Sequence, residues 1–135
     1  MNILILDDNA HRLTFFQNGL KGHKLTICRH ARSAIKALKN DAYDLIFLDH
    51  DLTGKPADPE DENSGSEVAR YIADHEIVCG CIILHTENRL GRESMETILA
   101  EAVTIPYSSL KKTGLHAIVK SVAYNSSTTK NGMDA

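Results

Sequence analysis

Three short, nearly unbroken apolar runs constrain this chain more than any other feature: Ile3-Leu4-Ile5-Leu6, Leu45-Ile46-Phe47-Leu48 and Cys81-Ile82-Ile83-Leu84. A strand with one wet face alternates apolar and polar residues, so an unbroken run predicts a strand covered on both faces, as in a parallel sheet. Strands are expected at Asn2 to Leu6, Lys24 to Cys28, Asp44 to Leu48, Cys81 to Leu84 and Val103 to Ile105. Helical stripes lie between them. Leu13, Phe16 and Leu20 form one, and Ala31, Ala34, Ile35 and Leu38 another. Val68 and Ile72 follow, then Met95, Ile98, Leu99 and Ala102, and finally Leu115, Ile118, Val119 and Val122. Each stripe sets one apolar helix face against a sheet. Five β–α units in this order predict an α/β fold, a doubly wound five-stranded parallel sheet of the flavodoxin-like kind.

The 135 residues are enough for one domain with one core. The expected folded unit is 1–124, interrupted by an acidic loop at 53–63 that reads as long and mobile. A Ser/Thr/Asn-rich stretch at 125–135, without apolar period, reads as a disordered tail. The formal net charge of −3 gives no electrostatic reason to expect duplex DNA as a partner. No apolar run reaches membrane-spanning length and no basic segment precedes the first strand, so a cytoplasmic location is expected. Cys28, Cys79 and Cys81 are odd in number, unlike a disulfide framework, and Cys79-Gly80-Cys81 fits no standard zinc spacing.

Ligands of open α/β sheets bind outside the carboxyl ends of the central strands. Here those ends carry Asp7-Asp8, Asp49-His50-Asp51 and His85-Thr86-Glu87-Asn88. Any one of these Asp could be an ordinary turn or capping residue. Their coincidence at neighbouring strand ends instead predicts a shared divalent cation, Mg²⁺ or Mn²⁺, held by Asp7, Asp8, Asp49 and Asp51 beside a phosphate group.

The segments LILDDN at 4–9, DLIFLDHDL at 44–52 and SGSEVARYI at 64–72 resemble the receiver domain of bacterial response regulators. That resemblance implies metal binding by Asp7 and Asp8, phosphorylation of Asp49, and Thr86 at the receiver hydroxyl position. Ile105 stands where receivers carry a Lys before Pro106. LDHDL at 48–52, the SG helix start at 64–65, and His85-Thr86-Glu87-Asn88 with Gly91 resemble more narrowly a receiver-derived family predicted to process cyclic phosphates. Hydrolysis of such esters, of nucleotides or RNA ends, is the implied activity.

Opening a cyclic phosphate requires two proton transfers, for which His50 and His85 are the candidate acid and base, with Asp49 at the catalytic centre. Thr86, Asn88 and Arg89 are the candidate substrate-binding residues. His50 could equally point away, because adjacent side chains on extended backbone face opposite sides, and His85 could be a core residue. Asp49-x-Asp51-x-Thr53 also matches the nucleophile motif of haloacid-dehalogenase-type phosphatases, although an acidic strand precedes it here. A phosphoaccepting switch and a pseudo-receiver that only binds a protein partner complete the alternatives. No glycine-rich dinucleotide or P-loop motif occurs.

Overall fold

A computed structural model describes residues 1–134, with side chains described through Asn125. The chain alternates β1 (Asn2–Leu6), α1 (Ala10–Gly19), β2 (Lys24–Cys28), α2 (Ala31–Asn40), β3 (Leu45–Leu48), α3 (Gly65–Asp74), β4 (Cys81–Leu84), α4 (Arg89–Ile98), β5 (Val103–Thr104), α5 (Tyr107–Thr113) and α6 (Leu115–Asp134). All strand pairs are parallel, in the order β2-β1-β3-β4-β5. The doubly wound sheet expected from the apolar runs is therefore present. The short helix α5, which carries a single buried residue, Leu110, has too brief an apolar signal to be foreseen.

The unbroken apolar runs divide residue by residue between two cores. Leu4, Leu6, Ile46, Leu48 and Leu84 pack on one face with Ala34 and Leu38 of α2, Val68 and Ile72 of α3 and Met95 of α4. Ile3, Ile5, Leu45, Phe47 and Ile83 pack on the other face with Leu13 and Phe16 of α1, Leu110 of α5 and Leu115, Ile118 and Val122 of α6. Burying one such side chain contributes roughly 1.5–3 kcal/mol, which is why no position in these runs is polar.

The stretch expected as a disordered tail coincides with the last turns of α6, whose backbone is helical to Asp134; the side chains beyond Asn125 lie outside those described. The acidic segment 53–63 is pinned at several points. Ala57 N–H donates to Asp51, Arg70 donates to the Pro59 carbonyl, and Ala31 N–H donates to Asn63. Its exit is fixed by Ser64, which caps α3 by accepting from Glu67 N–H. Among the described residues, no helix is long and apolar enough to cross a membrane.

Two glycines bring α3 and α4 close to the end of β3. A Cβ on Gly65 would lie 2.1 Å from the Asp49 carbonyl oxygen, and one on Gly91 would lie 2.2 Å from Cγ of the His50 ring. The first obstacle is backbone and the second is a side chain. Gly65→Ala and Gly91→Ala should each destabilise the fold by about 1–3 kcal/mol in urea unfolding, as overpacking does. Adding His50→Ala should recover part of the Gly91→Ala loss and none of the Gly65→Ala loss; equal recovery in both would contradict this packing.

Candidate functional site

The strand register sets three side chains in a row. Leu6 pairs with Leu48 and Leu48 with Leu84. The next residues continue the ladder, since Asp49 N–H donates to Leu6 O and His85 N–H to Leu48 O. Asp7, Asp49 and His85 thus lie side by side with the parity of Ile5, Phe47 and Ile83, facing α1. Each offers one ligand atom, and these atoms lie within 4.8 Å of one another, a grouping that could hold a metal ion.

The cation that stands there is Arg12. Asn9 caps α1 by accepting from Arg12 N–H, which places Arg12 in the first helical turn, directly over the strand ends. Its Nε donates to Asp7 Oδ2 at 2.9 Å, and its Nη2 reaches Asp7 Oδ1 at 3.1 Å and Asp49 Oδ2 at 3.0 Å. The same Asp7 Oδ2 also accepts from His85 Nε2 at 2.8 Å. His85 is buried against the edges of Phe16 and Phe47, and its Nδ1 has no hydrogen-bond partner.

Sharing one guanidinium leaves the two acids unlike each other. Burial favours the neutral form of Asp7, yet the hydrogen bonds from His85 and Arg12 outweigh it and hold its pKa below the usual carboxylate value. At Asp49 burial prevails and raises the pKa; His85 and Arg12 oppose it, while the charge on Asp7 adds to it. Carboxyl groups pushed apart in this way are a recurring property of reactive sites.

Of the four acids expected to share an ion, the structure groups Asp7 and Asp49, together with His85; Asp8 and Asp51 lie outside that grouping. Parity reverses one residue beyond the strand ends, and Asp51 is held away by its own partners. Its Oδ1 accepts from His50 Nδ1 at 3.0 Å, Ala57 N–H at 3.0 Å and Asn88 Nδ2 at 2.9 Å. The donor chemistry of the central trio still suits a divalent ion, and the guanidinium marks where positive charge is required. Both oxygens of Asp7 are engaged by Arg12, so an ion can take that place only once Arg12 has moved.

His50 also departs from its expected role. Its ring is fully buried on the opposite face, with Nε2 against Ser66 Oγ at 2.9 Å and Ser66 against Ser94 at 2.8 Å. This chain ties β3, α3 and α4 together and turns His50 away from Asp7 and Asp49. Asn88 caps α4 through Oδ1 while its amide holds Asp51, and Thr86 Oγ1 accepts from Asn88 N–H. Both are positioning residues for the rim. Arg89 points into solvent and pairs with Glu93, because it lies on the outer side of the first turn of α4.

A cleft of about 210 Å³ opens beside the trio, lined by Asp8, Asn9, Arg12, Asp51, Gly54, Lys55 and Pro56. Asp8 and Asp51 thus reach the site as cleft walls. Arg12 and Lys55 are its cations, and neither was foreseen from sequence. The available signal was Arg12 itself, five residues after a buried acid and inside the first turn of the next helix. A larger hollow of about 400 Å³ lies at the amino end of β4, lined by Ile72, Ile77, Cys79 and Leu99 among others. It lies at the opposite sheet edge from the acids.

Comparison with known proteins bears on the fold and the family. Two solved structures share the fold. One is a response regulator protein, TrrA, from Thermotoga maritima, in complex with Mg²⁺ and BeF, at 24% identity and TM-score 0.65, covering 90% of this chain and 97% of that one. The other is a CheY-like response regulator receiver domain protein from Methanospirillum hungatei, at 18% identity and TM-score 0.66, covering 94% and 97%. No curated relative matches the sequence. Residues 2–101 match the family described as the cyclic-phosphate processing receiver domain, and the chain belongs to that family.

Proposed function

We propose that the rim formed by β1, β3 and β4 hydrolyses a cyclic phosphate or related phosphodiester, with a nucleotide or an RNA end as the source of the ester. The observation that carries this reading is the cleft itself, which sets the cations Arg12 and Lys55 among the carboxylates Asp8 and Asp51, beside a buried Asp-Asp-His trio.

Asp7, Asp49 and His85 would hold Mg²⁺ or Mn²⁺, which supplies positive charge to the phosphoryl oxygens. The remaining chemistry is assigned to groups of the chain. Arg12 is a quarter exposed at the cleft, and its guanidinium fork suits two phosphate oxygens. Lys55 adds a second charge from the loop. Asp51 is rigid, because all three of its donors fall on Oδ1, which leaves Oδ2 for a water molecule. Its pKa is lowered: burial works against ionisation, but the bonds from Asn88, Ala57 and His50 outweigh it. Asp51 is therefore ionised at neutral pH, and its Oδ2 is the acceptor assigned here to the proton of the attacking water. The water oxygen bonds to phosphorus, the ring P–O bond breaks, and the proton returns to the leaving oxygen.

A phosphoaccepting switch is the competing reading, favoured by the receiver fold and by the position of Asp49 at the end of β3. Asp49 is only 3% exposed and lies under Arg12, and Ile105 stands in place of the receiver Lys. Both features weigh towards the hydrolytic reading.

The assay is turnover of 2′,3′-cyclic nucleotides with Mg²⁺ or Mn²⁺, run beside acetyl phosphate. Asp49→Asn and Asp51→Asn should each lower kcat by about 10²-fold or more, the usual scale of a lost acid–base or electrostatic group. Arg89→Ala should leave it within about twofold, since its partner is Glu93 on the surface. Stable phosphorylation of Asp49 without turnover would support the switch instead.

Stability should move the opposite way to activity. Burial disfavours the charged form of Asp49, so Asp49→Asn should raise Tm by about 2–5 °C, corresponding to about 1 kcal/mol. A lower Tm would mean that its pairing with Arg12 outweighs the desolvation.

A further inference from the structure

The proposed site contains a cation of its own, and its geometry has a consequence for how the site is filled. Arg12 Nε and Nη2 occupy Asp7 Oδ2, Asp7 Oδ1 and Asp49 Oδ2. Two of the three side chains that bring ligand atoms together within 4.8 Å are therefore already engaged by one guanidinium. The carboxylates cannot serve both cations at full strength, because each oxygen lone pair given to a metal is withdrawn from an N–H donor.

We propose that Arg12 and a divalent cation are alternative occupants of the Asp7–Asp49 pair, so that metal entry releases Arg12 into the cleft to bind the substrate phosphate. Three observations support the exchange. Arg12 is anchored at its backbone by the first turn of α1, while its side chain is the partly exposed member of the cluster; the acids it touches are almost fully buried. It borders the cleft lined by Asp8, Asp51 and Lys55, so a released guanidinium needs no new opening. The Tyr107 ring lies 5.7 Å from its guanidinium carbon and offers an apolar face along which the side chain can slide.

The exchange couples two ligands through one side chain. Without metal, Arg12 keeps the buried carboxylates from repelling each other and is withheld from phosphate. With metal, the same charge becomes available to the ester. Phosphate affinity should then rise with metal occupancy, and by reciprocity metal affinity should rise with phosphate. Arg12 would thus be a specificity residue, admitting an anionic substrate only after the cation is in place.

This inference rests on the metal reading of the trio, and the test separates the two. Mn²⁺ binding is measured by calorimetry on the wild type and on Arg12→Gln. Removing the competitor should tighten Mn²⁺ by about tenfold or more, within the 5–150-fold usual for coupled sites. Arg12→Gln should also unfold at a lower temperature than the wild type without metal and regain more on adding Mn²⁺. Should that variant fail to fold, the wild type provides an independent readout. The ¹⁵N-labelled Arg12 Nε–H, protected by Asp7, should shift and exchange faster with water on titration with Mg²⁺. Equal Mn²⁺ affinity in both proteins, or an Arg12 Nε resonance unmoved while Mg²⁺ binds, overturns the exchange but leaves the metal site standing. Absence of binding by either protein overturns both.

Discussion

Two carboxylates at the ends of adjacent buried strands would repel each other strongly if nothing stood between them, and the guanidinium of Arg12 is what stands there. Its charge offsets the repulsion between Asp7 and Asp49 where β1 and β3 end side by side. Removing the guanidinium would leave two desolvated carboxylates facing each other, which is why Arg12 is the member the cluster can least lose. The rest of the rim is arranged around this cluster: His85 bonds Asp7 from β4, the α1 cap places the guanidinium, and the cleft opens at its exposed edge.

A second polar cluster lies on the opposite face of the same strand end and serves architecture. His50, Asp51, Asn88, Ser66 and Ser94 form one hydrogen-bonded chain, threaded between Gly65 and Gly91. Every ring nitrogen of His50 has a partner, the condition under which a buried imidazole is tolerated. The consequence for the site is indirect but definite. This network fixes the backbone from β3 into α3 and hence the direction of the Asp51 carboxylate. The two clusters divide the work between them: one face of the strand ends concentrates charge, and the other holds the loops that shape the cleft.

Much of this was legible in the sequence, and the remainder was lost for identifiable reasons. The runs ILIL, LIFL and CIIL needed cover on both faces, and both cores were found. The convergence of Asp7, Asp49 and His85 followed from strand order. The error lay in treating neighbours in sequence as neighbours in space. Period-two alternation, which assigns Ile5 and Phe47 to one core and Leu6 and Leu48 to the other, also separates Asp7 from Asp8 and Asp49 from His50. Extended two residues past β3, it puts His50 on the far side, the alternative the sequence had left open. Arg12 was missed because a lone Arg in a helix ordinarily lies on a solvated face, and only the tertiary position of α1 turns it inward. The roles of Gly65 and Gly91 in making room at the end of β3 likewise depend on distances no local pattern encodes.

The central claim is that the rim between Asp7, Asp49 and the loop after β3 receives a phosphate ester. Titrating ¹⁵N-labelled protein with a 2′,3′-cyclic phosphorothioate in the presence of Mg²⁺ tests it most directly. Saturable shifts centred on Asp8, Asn9, the Arg12 side chain and Asp51 to Lys55 are expected, with the amino end of β4 unaffected. Saturable binding that shifts the residues around Cys79 and Leu99 and leaves Arg12 unmoved would contradict it.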